Sequence, residues 1–170
     1  MSKHVKLYII RHGEALPAQA LQGDAIRPLS QHGEQEVIMS GRWLAQYLGE
    51  QGAKQLDWLV VSPYIRARQT ASLIERQVNV AEHDVNDGIT PDGQAEQVCD
   101  WLLAELQQRG SKVEHVAIVS HMPFVSYLVA ALDSAMEPIL FPTAGIAEML
   151  IEPEQWRGKF VRMAVVEPDQ

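Results

Sequence analysis

The chain has 170 residues, 46% apolar and 21% charged, with 14 basic against 22 acidic side chains and a formal net charge of −8. At about 150 residues a chain buries roughly 70% of the surface it exposes when unfolded, so a single domain over 1–170 needs no metal staple. The acidic balance is the opposite of an electrostatic footprint for nucleic acid or anionic lipid, and any polyanionic partner must meet a local basic pocket.

One cysteine, Cys99, excludes an intrachain disulfide framework and suits a reducing compartment. It falls within a helical pattern, where a packing role is expected. The start, Met1-Ser2-Lys3-His4, is followed by too few apolar residues before Arg11 for a signal peptide. No stretch approaches the roughly 18 apolar residues of a membrane span, so the cytoplasm is the expected location.

Val5 to Ile10 is short, β-branched and mostly apolar, as expected of a strand covered on both faces. Val37, Gly41, Leu44 and Leu48 keep helical spacing after Ser30, a suitable N-cap. Trp58 to Val61 reads as a second strand, and Ser62-Pro63 leads into the helical stripe Ala67, Ala71, Ile74. Val98, Trp101, Leu102 and Leu106 make a helix ending near Gly110. Val116 to Val119 repeats the strand pattern, and Ser120-His121 with Pro123 precedes a helix carrying Val125, Leu128, Val129 and Leu132. Both prolines are expected in a first helical turn, where a missing donor costs nothing. Ile146 to Ile151 and Phe160 to Val166, separated by Glu152-Pro153-Glu154, read as a closing hairpin. The alternation implies an α/β fold: one three-layer domain with a mainly parallel sheet, helices on both faces and a C-terminal hairpin.

Ligands of such sheets collect beyond the carboxyl ends of the strands. Those ends carry Arg11-His12-Gly13-Glu14, then Ser62 with Arg66 one turn later, then His121. Two arginines and two histidines converge on one rim. Arginine's planar fork binds phosphate through paired, charge-assisted hydrogen bonds, so Arg11 and Arg66 are candidate clamps. A neutral histidine beside them can attack phosphorus and carry it covalently, which makes His12 the candidate nucleophile. The arginine charges are expected to help keep it neutral. His121 is positioned to donate to a non-bridging oxygen in the transition state, and Gly13 to let phosphate approach the backbone. The six histidines offer no paired spacing such as His-x-x-x-His, and a cation would compete with the arginines, so neither metal nor other cofactor is expected.

Leu7-Tyr8-Ile9-Ile10-Arg11-His12-Gly13-Glu14 resembles the signature of the histidine phosphatase superfamily, which includes phosphoglycerate mutases. Ile26-Arg27-Pro28-Leu29-Ser30, Val61-Ser62-Pro63-Tyr64-Ile65-Arg66-Ala67 with Gln69-Thr70, and Val119-Ser120-His121-Met122-Pro123 are similar in order and spacing to its short SixA branch. That branch contains bacterial phosphohistidine phosphatases acting on histidine phosphotransfer (HPt) proteins. The likeness runs from Val5 to about Ala147. It implies His12 as nucleophile, Arg11, Arg66 and His121 as phosphate ligands, a further phosphate contact from Arg27, an HPt domain as partner, and phosphate as product or inhibitor.

Mutases and many phosphomonoesterases of the superfamily place a leaving-group acid between the second and third catalytic motifs. The comparable stretch here, Val85-Asn86-Asp87-Gly88-Ile89-Thr90-Pro91, has Gly88 about where that acid belongs. Asp87 adjoins it, although Asn86-Asp87-Gly88 is also ordinary turn chemistry. The long insertion that forms a lid in larger members is absent. Two alternatives remain at this level: a small-molecule phosphatase or mutase of the same superfamily, and a phosphohistidine-binding module without turnover. Retention of His12 argues against the second.

Overall fold

β1 (Val5–Arg11) is apolar through its middle because helices cover both of its faces, and Val5, Leu7, Tyr8, Ile9 and Ile10 have no exposed surface. The computed structural model describes residues 3–18 and 23–168; Met1 and Ser2 lie outside the described residues. After β1 come α1 (Gln31–Glu50), β2 (Trp58–Val61), α2 (Ile65–Glu75), β3 (His83–Val85), α3 (Ala95–Arg109), β4 (His115–Ser120), α4 (Phe124–Leu132), β5 (Ile146–Glu152) and β6 (Arg157–Ala164). Three-residue 3-10 turns occupy Asp24–Ile26, Gly110–Lys112 and Pro153–Gln155.

The six strands form one sheet in the order β3-β2-β4-β1-β5-β6. β3, β2, β4 and β1 run parallel, β5 is antiparallel to β1, and β6 is antiparallel to β5. Alternate side chains of β1 serve opposite faces. Tyr8 and Ile10 pack with Val37, Leu44, Ala67 and Ile74 of α1 and α2. Leu7 and Ile9 pack with Val98, Leu102, Val125 and Leu128 of α3 and α4. Burying each such aliphatic side chain contributes about 1.5–3 kcal/mol, so the central strands are the most firmly held part of the molecule.

The three-layer architecture and the closing hairpin are as expected, and the hairpin extends the main sheet beyond β1. Ser30 caps α1 by accepting from the Gly33 amide, and Gly110 ends α3 at φ 57°. Three expectations are corrected. β3 has no counterpart in the reading of the sequence, because its three residues are all exposed and carry no apolar pattern. β6 starts and ends earlier than expected, at Arg157 and Ala164. Pro123 is the N-cap of α4 and Pro63 precedes Tyr64, the N-cap of α2, so both prolines sit just outside the first helical turn.

Candidate active site

β1 and β4 pair in register from Lys6↔His115 to Arg11↔Ser120. His12 and His121 each follow the last paired residue of their strand and therefore emerge side by side. The His12 amide donates to the Ser120 carbonyl at 3.0 Å, and the two rings lie 5.1 Å apart between centroids. Both side chains are buried.

His12 Nδ1 lies 2.6 Å from the Gly13 carbonyl oxygen. A carbonyl only accepts, so Nδ1 carries the ring hydrogen and Nε2 keeps its lone pair. Arg66 Nε donates to that Nε2 at 3.2 Å. Burial pushes His12 from an ordinary 6.5 down to about 4; the Gly13 hydrogen bond opposes this, and the charges of Arg66, Arg11 and Arg27 reinforce it. The arginines act in the direction expected from the sequence, and desolvation is the larger cause.

Arg66 reaches the rim from the first turn of α2. Its Nη1 donates to the Asp24 carbonyl at 2.7 Å and its Nη2 to the Asp24 carboxylate at 3.0 Å. The other carboxylate oxygen accepts from Arg27 Nη1 at 3.0 Å, while Arg27 Nε donates to the Leu16 carbonyl. Arg27 thus joins the cluster through Asp24. Burial raises the Asp24 carboxyl, but hydrogen bonds from Arg27 and Arg66 and their charges outweigh it and hold the group below the usual carboxylate range.

Arg11 Nη1 donates to the Phe141 carbonyl at 2.6 Å, and its Nε is buried without a partner. His121 Nε2 lies 2.7 Å from Ser62 Oγ, and its Nδ1 is also buried and unpartnered. Burial, with the neighbouring His12 and the arginines, pushes His121 down to about 3, so both rings are neutral near pH 7. The Tyr64 ring packs edge-on to His121 and carries the Arg66 guanidinium 5.0 Å from its centroid.

Gly13 needs a different account from the one its sequence position invited. A Cβ there would lie 2.6 Å from the Gly33 carbonyl oxygen and 2.8 Å from Val37 Cγ2, so glycine is required by the close crossing of α1. The Gly13 amide donates to Thr70 Oγ1 at 3.2 Å. Thr70 in turn donates to the Arg66 carbonyl, tying the loop after β1 to α2.

Residues 7–90 match the model of the histidine phosphatase superfamily, branch 1. A phosphohistidine phosphatase SixA homolog of Haemophilus influenzae is 36% identical over 149 residues, 86% of this chain and 88% of the relative. The chain belongs to the histidine phosphatase superfamily. Phosphohistidine phosphatase SixA of Escherichia coli is 33% identical over 158 residues, 92% of this chain and 91% of that one. The solved structure of the protein histidine phosphatase SixA complexed with tungstate superposes with a TM-score of 0.83 at 30% identity, over 95% of this chain and 97% of the other.

Superfamily members with a leaving-group acid provide a test of the segment after β3. Gly88 donates its amide to Asn86 Oδ1 in a surface turn, and among the described residues Asp87 makes no hydrogen bond or ion pair with the His12 cluster. Glu14 accepts from Ser30 Oγ at 2.8 Å, beside the start of α1. The carboxylate that does enter the cluster is Asp24, which the sequence reading missed. Its one local signal was its place three residues before Arg27, the spacing of a helical-turn ion pair. Among the described residues no group of three or more His, Cys, Asp or Glu is placed to hold a metal, and no helix is long and apolar enough to cross a membrane.

Proposed function

We propose that this protein is a phosphohistidine phosphatase that takes phosphoryl groups from HPt domains of phosphorelay proteins through a covalent intermediate on His12. The observation that carries this reading is the fixed tautomer of His12, whose Nδ1–H is spent on Gly13 while a neutral Nε2 faces Arg66. The Nε2 lone pair attacks phosphorus, the phosphorus–nitrogen bond to the substrate imidazole breaks, and the departing imidazole takes a proton from solvent. Water then attacks the phosphorylated His12, releasing inorganic phosphate and restoring the ring. Arg11, Arg66 and Arg27 bind the phosphoryl oxygens and stabilise charge as the transition state forms.

His121 supplies a hydrogen bond to a non-bridging oxygen. We assign the hydroxyl hydrogen of Ser62, whose Oγ also accepts from the Tyr64 amide, to His121 Nε2. The ring hydrogen then sits on the unpartnered Nδ1, and a buried donor without an acceptor is costly until a phosphoryl oxygen arrives. The charge that a metal would supply comes from the arginines, so catalysis needs no metal or other cofactor. Similarity to the SixA proteins, one of them solved with tungstate, a tetrahedral oxyanion, supports the same reading. The buried, lone Cys99 thiol fits a reducing cytoplasm, and the net acidic chain fits neither nucleic acid nor membrane as partner.

The test is incubation of purified protein with an HPt domain phosphorylated on histidine. Loss of label from the domain, release of inorganic phosphate and acid-labile phosphate trapped on His12 are the expected results. A phosphoryl group that is bound and never released would refute the phosphatase.

A further inference from the structure

Asp24 has no step in the mechanism above, yet its carboxylate spans two of the cationic groups assigned to the phosphoryl oxygens. One oxygen accepts from Arg66 Nη2 and the other from Arg27 Nη1, each at 3.0 Å. A carboxylate and a phosphoryl group compete for the same guanidinium forks, because both present paired anionic oxygens. The backbone carbonyl of Asp24 separately accepts from Arg66 Nη1 at 2.7 Å, so the guanidinium stays anchored when the carboxylate lets go. Exposure is unequal as well: the Asp24 side chain is 51% exposed and that of Arg66 only 4%. The carboxylate can turn to water at small desolvation cost, and the arginine cannot follow it.

We propose that Asp24 is a built-in counter-anion, competing with phosphoryl oxygens for Arg66 and Arg27 so that free inorganic phosphate is held weakly and departs after hydrolysis. The proposal rests on the reading that this rim takes a phosphoryl group. A phosphoryl group carried on a protein arrives with additional contacts that offset the competition. Inorganic phosphate brings none. Asp24 thereby discriminates between substrate and product, although both present the same tetrahedral anion to the arginines.

Calorimetric titration of inorganic phosphate into the full-length wild type, Asp24→Asn and Asp24→Ala tests this without any need for turnover. The dissociation constant for phosphate is expected to fall at least about tenfold in Asp24→Asn, with Asp24→Ala moving in the same direction. The constant for product inhibition should fall in step. A carboxylate that merely braced Arg66 would give the opposite sign, so unchanged or weaker phosphate binding in Asp24→Asn overturns the proposal. Normal phosphatase activity combined with that result removes the counter-anion alone. Absence of phosphate binding in all three proteins removes the phosphoryl site with it.

Discussion

Arg66 Nε caps His12 Nε2 at 3.2 Å, so the lone pair assigned to attack on phosphorus is held by a group assigned to bind its oxygens. The incoming phosphoryl group must take both partners from each other at once. Replacing His12 with alanine should lower turnover by at least about three orders of magnitude and abolish the acid-labile phosphoenzyme. Thermal melting should stay cooperative, since the ring lies beyond the end of β1. Turnover of the variant near the wild-type rate would falsify the covalent mechanism.

Arg66→Ala should lower catalytic efficiency by one or more orders of magnitude, in line with about 1.5–3 kcal/mol for a hydrogen bond to a charged group. Arg66→Lys should rescue only part of the loss, because an ammonium cannot serve His12 and a phosphoryl oxygen with a planar fork. Steady-state kinetics on a phosphorylated HPt domain gives the comparison, and full rescue by lysine would show that only charge matters here.

The two buried histidines predict a direction for acid sensitivity. Their folded values, about 4 for His12 and about 3 for His121, lie below the ordinary 6.5, so between these limits the unfolded chain binds more protons than the folded one. Stability therefore falls as pH drops through 6.5, and His12's share of the loss is complete below about pH 4. Urea midpoints measured across this range should decline in the wild type and decline less steeply in His12→Gln. Parallel curves for the two proteins would mean that His12 is not held neutral in the folded state.

Gly13→Ala should cost about 1–3 kcal/mol of stability through overpacking, because the added methyl meets the Gly33 carbonyl and Val37. Activity should fall with it, since the Gly13 carbonyl fixes the His12 tautomer. Denaturant midpoints and turnover measured on the same preparation check both effects, and a fully stable, fully active variant would contradict the close crossing of α1.

Substrate preference follows from the surface turn at Gly88. Phosphate esters expel an alkoxide of high pKa and need a proton donor, whereas an imidazole leaving group collects its proton close to neutral pH. Catalytic efficiency on a phosphohistidine protein should exceed that on phosphoserine or phosphoglycerate at least about a hundredfold, equivalent to roughly 2.7 kcal/mol in the barrier. Asp87→Asn should leave that ratio unchanged. Equal efficiency on both bond types would overturn this preference and point to Glu14 or Asp87 as a proton donor.

The residues that sequence could place were those whose surroundings are set by the sheet. Leu7 to Ile10, Trp58 to Val61 and Val116 to Val119 declare burial on both faces, and the polar residue after each run is then a rim residue by topology alone. Arg11, His12, Ser62 and His121 were legible for that reason. Arg27 was legible only through family resemblance, since it lies in a loop with no periodicity. Asp24 carried only its spacing to Arg27: its other partner, Arg66, is 42 residues away, and nothing local to the aspartate marks that contact. The packing demand on Gly13 was not legible, because the crossing helix that excludes a side chain there comes 20 residues later.

The pairing of Arg11 with Ser120 has a mechanical consequence. Neighbouring strands stand about 4.8 Å apart whatever their side chains, and the two imidazoles, mounted one residue past a shared rung, inherit nearly that gap as their 5.1 Å centroid separation. The backbone ladder is thus the gauge that sets the distance between the proposed attacking group, His12, and the proposed hydrogen-bond donor, His121. Loops around the rim can lengthen or change composition without touching that gauge. A single deletion within β1 would slide His12 by about 3.3 Å and turn it to the opposite face of the sheet.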